Sequence, residues 1–232
     1  MYLHPDHRFT DPEAALALLA AHPLGSWVCA GADGLVANHL PFFLDRGRGP
    51  RGTLVGHVSR ANPVWRQLDA DGSTSVVVFQ GPQAYVSPGW YPGKARDGRV
   101  VPTWDYAVVH AHGRARAVHD RAWLRAMLDR LTDAHEAGRP APWHVADAPA
   151  DYLDALLGGI VGIELPIDRL ESRLKASQDE ARDDRVGTVQ GLRRQPGDAA
   201  RQMAALVKQA LDAEGATGAP AAPPPAGGPG TA

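Results

Sequence analysis

The chain of 232 residues is 44% hydrophobic and 22% charged, enough apolar material for one compact domain with small additions. Its 24 basic and 26 acidic side chains leave a net charge of −2, which argues against the strongly positive field that nucleic-acid binding relies on. A single cysteine, Cys29, allows neither a disulfide framework nor a thiolate metal cluster within the chain, and no apolar run reaches the roughly 20 residues of a membrane span. The start, MYLHPDHRF, lacks the apolar core of a signal peptide, so a cytoplasmic protein is expected.

After this polar start, TDPEAALALLAAHP reads as a helix: Asp11 caps it, Pro12 takes the first helical position, Leu16, Leu18 and Leu19 supply apolar contacts, and Pro23 ends it. Ser26 to Ala30 and Leu35 to Leu44 are apolar runs joined by Gly31-Ala32-Asp33-Gly34, whose Asp-Gly step favours a tight hairpin. The second run carries Asn38, His39, Leu40 and Pro41 at its middle. A proline removes a ladder donor, so it belongs at an edge, a bulge or a place where the ladder yields to a ligand. The basic turn RGRGPRG leads to a third strand, Thr53 to Val58, which runs into Ser59-Arg60-Ala61-Asn62-Pro63. There Asn62 caps, and Pro63 starts, a short helix to about Leu68. Hydroxyl, guanidinium and free N–H groups converge at this junction as they do in anion sites, although plain helix capping beside a solvent-facing Arg60 would use the same residues. His57 shares the strand face of Ser59.

Ser75 to Gln80 forms a fourth strand, which Ala84 to Ser87 continues or pairs with across Gly81-Pro82. The loop SPGWYPGKARDGRVVPTW holds Trp90, Tyr91 and Trp104, and aromatic loops of this kind cover something. Next comes the strand Tyr106 to Val118, whose alternation separates two chemistries. Tyr106, Val108, His110, His112, Arg114 and Arg116 share one face; Ala107, Val109, Ala111, Gly113, Ala115 and Ala117 share the other. So small a face admits a close neighbour: a flat cofactor ring, a packed helix or a second subunit. Asp120 then caps a helix over 121–137 with Leu124, Met127, Leu128 and Leu131 on one stripe. A short helix near Ala150 to Leu157 follows, and Ile160 to Leu165 is a sixth strand broken at Pro166, with Leu170 to Lys175 extending the sheet. The charged run DEARDDRVGTVQGL and the alanine-rich helix Ala199 to Ala213 read as a solvated appendage, and residues 214–232 as a disordered Pro/Gly/Ala tail. Short successive strands with hairpin-like links argue for an antiparallel barrel.

Four chemistries compete on this frame. A flavin site would combine a phosphate at Ser59 and Arg60, a ring against the small-residue strand, and aromatic cover from 85–104. A metal at His110 and His112 would face repulsion from Arg114 and Arg116, so no metal is expected. Nucleophilic catalysis lacks a Gly-x-Ser-x-Gly elbow. Nucleic-acid binding by Arg114, Arg116 and the loop at 46–51 lacks net positive charge and a helix-turn-helix.

The blocks GHVSRANPVW, FQGPQAYVSPGWYP, VPTWDYAVVHAHGRA and KASQDEARDDRVGTVQGL, with MYLHPDHRF and NHLPF, resemble the PaiB family of FMN-binding negative transcriptional regulators over about residues 1–193. The resemblance implies an α+β fold: an FMN-binding split β-barrel, antiparallel and of Greek-key type, with peripheral helices, related to pyridoxamine-phosphate oxidases. It further implies a homodimer with FMN near the subunit boundary. A C-terminal helix over 194–213 and the tail lie beyond that domain. Carried residue by residue, Ser59 and Arg60 match the phosphate turn, with His57 alongside. Asn38, His39 and Leu40 match the strand beside the flavin ring, Gln80 the strand edge near it, and Lys175, Ser177 and Gln178 a Lys-x-Ser-Gln block. The implied role is regulatory, with direct DNA contact unsupported by charge. The alternative is an FMN-dependent oxidoreductase acting on a small molecule, with Trp104, Tyr106 and His110 shaping its pocket.

Overall fold

The structure, a computed structural model, describes residues 1–217 except 3, 8, 10, 32 and 33. The Ala32-Asp33 step of the first hairpin, and the expected tail from 218 onward, lie outside the described residues. The chain divides into two compact units: a sheet unit, Glu13–Gln80 with Val109–Glu171, and a terminal unit, Met1–Pro12 with Gly81–Val108 and Ser172–Ala232.

The sheet unit begins with α1 (Pro12–Ala21). Seven antiparallel strands follow in the order β2-β1-β5-β6-β7-β4-β3: β1 (Leu24–Gly31), β2 (Gly34–Pro41), β3 (Phe43–Asp45), β4 (Thr53–Ser59), β5 (Ser73–Val86), β6 (Thr103–Val118) and β7 (Ile160–Lys175). The last three contribute residues to both units. The β1–β2 hairpin pairs Leu24 with Pro41 and Gly31 with Gly34, while β1 meets β5 with Ser26 opposite Val78.

The strand expected over 35–44 breaks at Phe42. Pro41 cannot donate to a further rung, and the Phe42 N–H turns to the Pro23 carbonyl at 2.8 Å while its ring is buried. Beyond that one residue the chain changes partner, so that β3 pairs with β4, Phe43 opposite Val55. Two strands at opposite ends of a seven-strand order are thus joined by a single residue. Strands lie about 4.8 Å apart and one residue spans about 3.8 Å, so the sheet must curl until its ends meet. This is the barrel geometry that the strand pattern suggested.

The break expected at Pro166 is absent: β7 runs through it without interruption. Pro166 falls at the last rung with β4, opposite Thr53, and the next N–H, that of Ile167, reaches the Gly52 carbonyl at 3.0 Å. The hydrogen-bonded position on the β4 side is therefore Ile167, and the ladder with β4 loses no bond at Pro166.

The small-residue face of β6 turns inward. Val109, Ala111 and Ala115 are fully buried, and a side chain at Gly113 would lie 2.1 Å from the Pro166 carbonyl oxygen. The close neighbour is the adjoining strand, with Leu165 filling the space, and the expected flavin ring has no room there. α3 (Arg121–Glu136), capped by Asp120 as its side chain accepts from Trp123 N at 2.7 Å, packs Leu124, Met127 and Leu131 with Val55 and with Leu157 of α4 (Ala150–Gly158).

In the terminal unit the loop after β5 holds a 3-10 turn (Pro88–Trp90) and the short α2 (Gly93–Arg96). α5 (Arg182–Arg194) and α6 (Asp198–Thr217) are not a solvated appendage. Val189, Leu192, Met203, Ala204 and Val207 form a core with Ala84 and Ala176, and Trp90 packs against it. The reason is a pair of glycines four residues apart, hence on one helix face. A Cβ at Gly187 would stand 2.1 Å from the Trp90 carbonyl oxygen, and one at Gly191 2.1 Å from the Trp90 ring. Trp90 and the buried Tyr91 therefore cover protein, correcting their expected role as flavin cover, while Trp104 is 55% exposed.

Candidate functional site

Within the sheet unit, the end of β2 meets the end of β4 and the turn that follows it. Asn38 and Leu40 point to one side of β2, and His39 to the other, where its Nδ1 lies 3.0 Å from Ser26 Oγ. Asn38 Oδ1 accepts from Asn62 Nδ2 at 2.7 Å, and Asn62 Oδ1 in turn accepts from Val64 N at 3.0 Å, capping the 3-10 turn Pro63–Gln67. Ser59 Oγ accepts from Ala61 N at 3.3 Å. Arg60 does not swing free: Nε donates to the Gly158 carbonyl at 2.7 Å and Nη2 to the Ile160 carbonyl at 2.9 Å. Two carbonyls, one at the end of α4 and one at the start of β7, fix the guanidinium in one orientation, and among the described residues no carboxylate pairs with it.

Among the described residues, Asn38 Nδ2 and His57 Nδ1 of this cluster are buried without a hydrogen-bond partner. Buried polar groups are nearly always satisfied, so spare capacity of this kind suits a polar ligand. Burial holds the His57 imidazole below its usual value, keeping it neutral. Because the folded-state value lies below the unfolded 6.5, full stability is present above that pH and is lost as pH falls from 6.5 through the folded value. His57→Leu should flatten that decline in a series of urea melts between pH 7.5 and 5, whereas an unchanged slope would remove His57 from the account. Gln80 is exposed on the outward face of β5, on the side of Val76 and Val78, and His110 is half-buried beside His112, ring centroids 6.2 Å apart.

Within the terminal unit, Lys175, Ser177 and Gln178 form a closed turn. Gln178 Oε1 accepts from Ala176 N and its Nε2 donates to the Leu174 carbonyl, both at 2.7 Å. Ser177, at φ +55°, donates from Oγ to Asp105 Oδ2 at 2.6 Å and from N to Oδ1 at 3.2 Å. Lys175 Nζ donates to Thr103 Oγ1 at 2.5 Å and to the Trp104 carbonyl at 3.1 Å, 3.6 Å from Asp105 Oδ1. The organising group is Asp105, fully buried, whose carboxyl burial pushes up against the pull of Ser177 and Lys175. Sequence reasoning passed over it, although an acid in register with Ala107 and Val109 on the buried face of β6 is an anomaly that demands partners. Trp104 meets Tyr85 edge-on at 6.2 Å, and Tyr106 lies under the Arg173 guanidinium at 5.4 Å.

A family model described as "Putative FMN-binding domain" matches residues 1–169. The chain belongs to this FMN-binding family. It is 32% identical to an uncharacterized protein of Emericella nidulans, over 90% of this chain and 97% of that one, and 28% identical to the protease synthase and sporulation protein PAI 2 of Bacillus subtilis, over 91% and 98%. Among solved structures it is similar to the FAD and heme binding protein from Mycobacterium smegmatis, with 22% identity, 73% of each chain and TM-score 0.54. It is also similar to a conserved hypothetical protein from Mycobacterium tuberculosis, with 12% identity, 75% and 91% covered and TM-score 0.53. These likenesses show the fold alone, the antiparallel split barrel that the motifs implied. Among the described residues no helix is long and apolar enough to cross a membrane.

FMN is the cofactor of this family member. FMN combines a dianionic phosphate with a flat ring whose polar edge carries both acceptors and a donor. The spare Asn38 N–H and the oriented, uncompensated Arg60 charge suit those two ends.

Proposed function

We propose that the chain is a cytoplasmic, homodimeric FMN-binding regulator that acts on gene expression without itself gripping DNA. Full-length likeness to PAI 2 carries the regulatory reading, since that relative's name ties it to protease synthesis and sporulation. The net charge of −2 supports indirect action, because phosphate contacts demand a basic surface. An outward apolar face supports the homodimer: Leu24 of β1 and Leu35 of β2 are 65% and 80% exposed, and the half-buried Val28 of β1 and Val76 and Val78 of β5 turn the same way. In this reading Ser59 and Arg60, with His57 beside them, hold the phosphate, the β2 segment Asn38-His39-Leu40 runs alongside the ring, and Gln80 lies at the strand edge near it. The assignment of Lys175, Ser177 and Gln178 to the cofactor is a separate proposal, tested by flavin content of Lys175→Met.

The purified protein should be yellow and release FMN on denaturation. Arg60→Ala, which removes the charge while leaving the strand intact, should purify with little flavin; full colour in that variant rejects the phosphate assignment. Deleting the gene should alter transcript levels, while gel shifts at two salt concentrations should show no salt-sensitive complex. A protein that consumes a reductant and passes its electrons to a small molecule, with transcripts unchanged, would replace the regulator with an enzyme.

A further inference from the structure

His110 and His112 stand two residues apart on β6, so both rings leave the same side of the strand. Glu171, on the adjoining β7, faces them: its Oε2 lies 3.1 Å from His112 Nε2, across 59 residues of sequence. One ligand atom from each of the three side chains lies within 4.8 Å of the other two, and all three are half-buried. The His112 and Glu171 side chains are 25% and 16% exposed, enough to shield a charge and still leave an entry path.

Charge was the objection to a cation here, since Arg114 and Arg116 follow on the same face. In the fold both are turned to other partners. Arg116 pairs with Glu164, which also holds Arg48 at 2.6 Å, and Arg114 Nε donates to the Asp71 carbonyl at 3.1 Å. Glu171 supplies the negative charge that the local sequence lacked. Arg169 pairs with its Oε1, and its Oε2 lies 3.1 Å from His112 Nε2.

We propose that His110, His112 and Glu171 bind a divalent first-row transition cation of the zinc class. Two imidazoles and one carboxylate are the donor set of open, water-bearing sites for such metals, and too rich in nitrogen to suit magnesium or calcium. The site uses none of the residues assigned to FMN, so the two stand or fall separately.

The test is calorimetric titration of zinc chloride into the flavin-loaded full-length chain after dialysis against EDTA. The wild type should take up about one zinc per chain with micromolar or tighter affinity. His112→Gln, which keeps the side-chain bulk, and His110→Ala should each weaken uptake at least about 10-fold, and Glu171→Gln should weaken it too. His144→Ala removes an exposed histidine paired with Asp133 at 3.0 Å and should change nothing. Thermal melts and flavin spectra certify that each variant is folded and loaded. Absence of saturable zinc uptake by the wild type, equal loss in His144→Ala, or magnesium binding as strong as zinc overturns the proposal.

Discussion

Gly113→Ala should fail to yield a stable native protein. The added methyl would sit 2.1 Å from the Pro166 carbonyl oxygen and 2.8 Å from a Leu165 methyl, closer than real Cβ contacts come. Over-packing a core costs about 1–3 kcal/mol when side chains can give way. Here the obstacle is backbone of β7, held in register on its far side by the rungs with β4. The two strands would have to part along their central rungs, at a cost above about 3 kcal/mol, a large share of the roughly 5–15 kcal/mol that folded domains possess. Gly47→Ala is the control, since its methyl would meet nothing closer than Asp45 Oδ1 at 3.5 Å. Soluble yield and melting temperature decide: a Gly113→Ala protein melting within a few degrees of the wild type would show that β6 and β7 are not packed as described.

Asp105→Ala should be the next most damaging change. It strands the Ser177 hydroxyl and N–H, and leaves the Lys175 ammonium, only 15% exposed, with two neutral oxygens for company. Removing one member of a buried charged pair costs about 3–5 kcal/mol because the survivor stays buried. At about 2–4 °C per kcal/mol for a chain of this length, the melting point should fall by roughly 10 °C or more. Asp105→Asn keeps an acceptor for Ser177 but not the charge for Lys175, so its loss should fall between wild type and alanine. The reverse order, with asparagine the worse, would mean that the Ser177 bonds and not the charge organise this turn.

How far the sequence could be read follows from the range of the interactions. The hairpins, α1, α3 and the long β6 announce themselves through caps, turn residues and alternation, which are local. The break at Phe42 did not, because the apolar run 35–44 is continuous and only the change of partner, from β1 to β4, divides it. Pro166 misled for the opposite reason: a local rule predicted a break, and in the pairing with β4 the donor is the next residue, Ile167. The charged look of 182–194 hid a buried helix, since the signal lay in two glycines that make room for Trp90. At the site, Asn38, Ser59 and Arg60 carried readable motifs. Asp105 and Glu171 did not, because each acquires its meaning from a partner far along the chain, 72 and 59 residues away.

The curl of the sheet has a further result. β2 and β4 approach closely enough that Gly56 has only 2.9 Å between its missing side chain and the Pro41 oxygen, yet among the described residues they exchange no ladder bonds. The cylinder is therefore buttoned at Phe42 and left unzipped just above, and Asn38, Asn62, Ser59 and Arg60 stand along that slit. A substitution that let the slit close into regular rungs would produce a sturdier protein and, on the proposed placement of the phosphate and ring, one that holds less FMN.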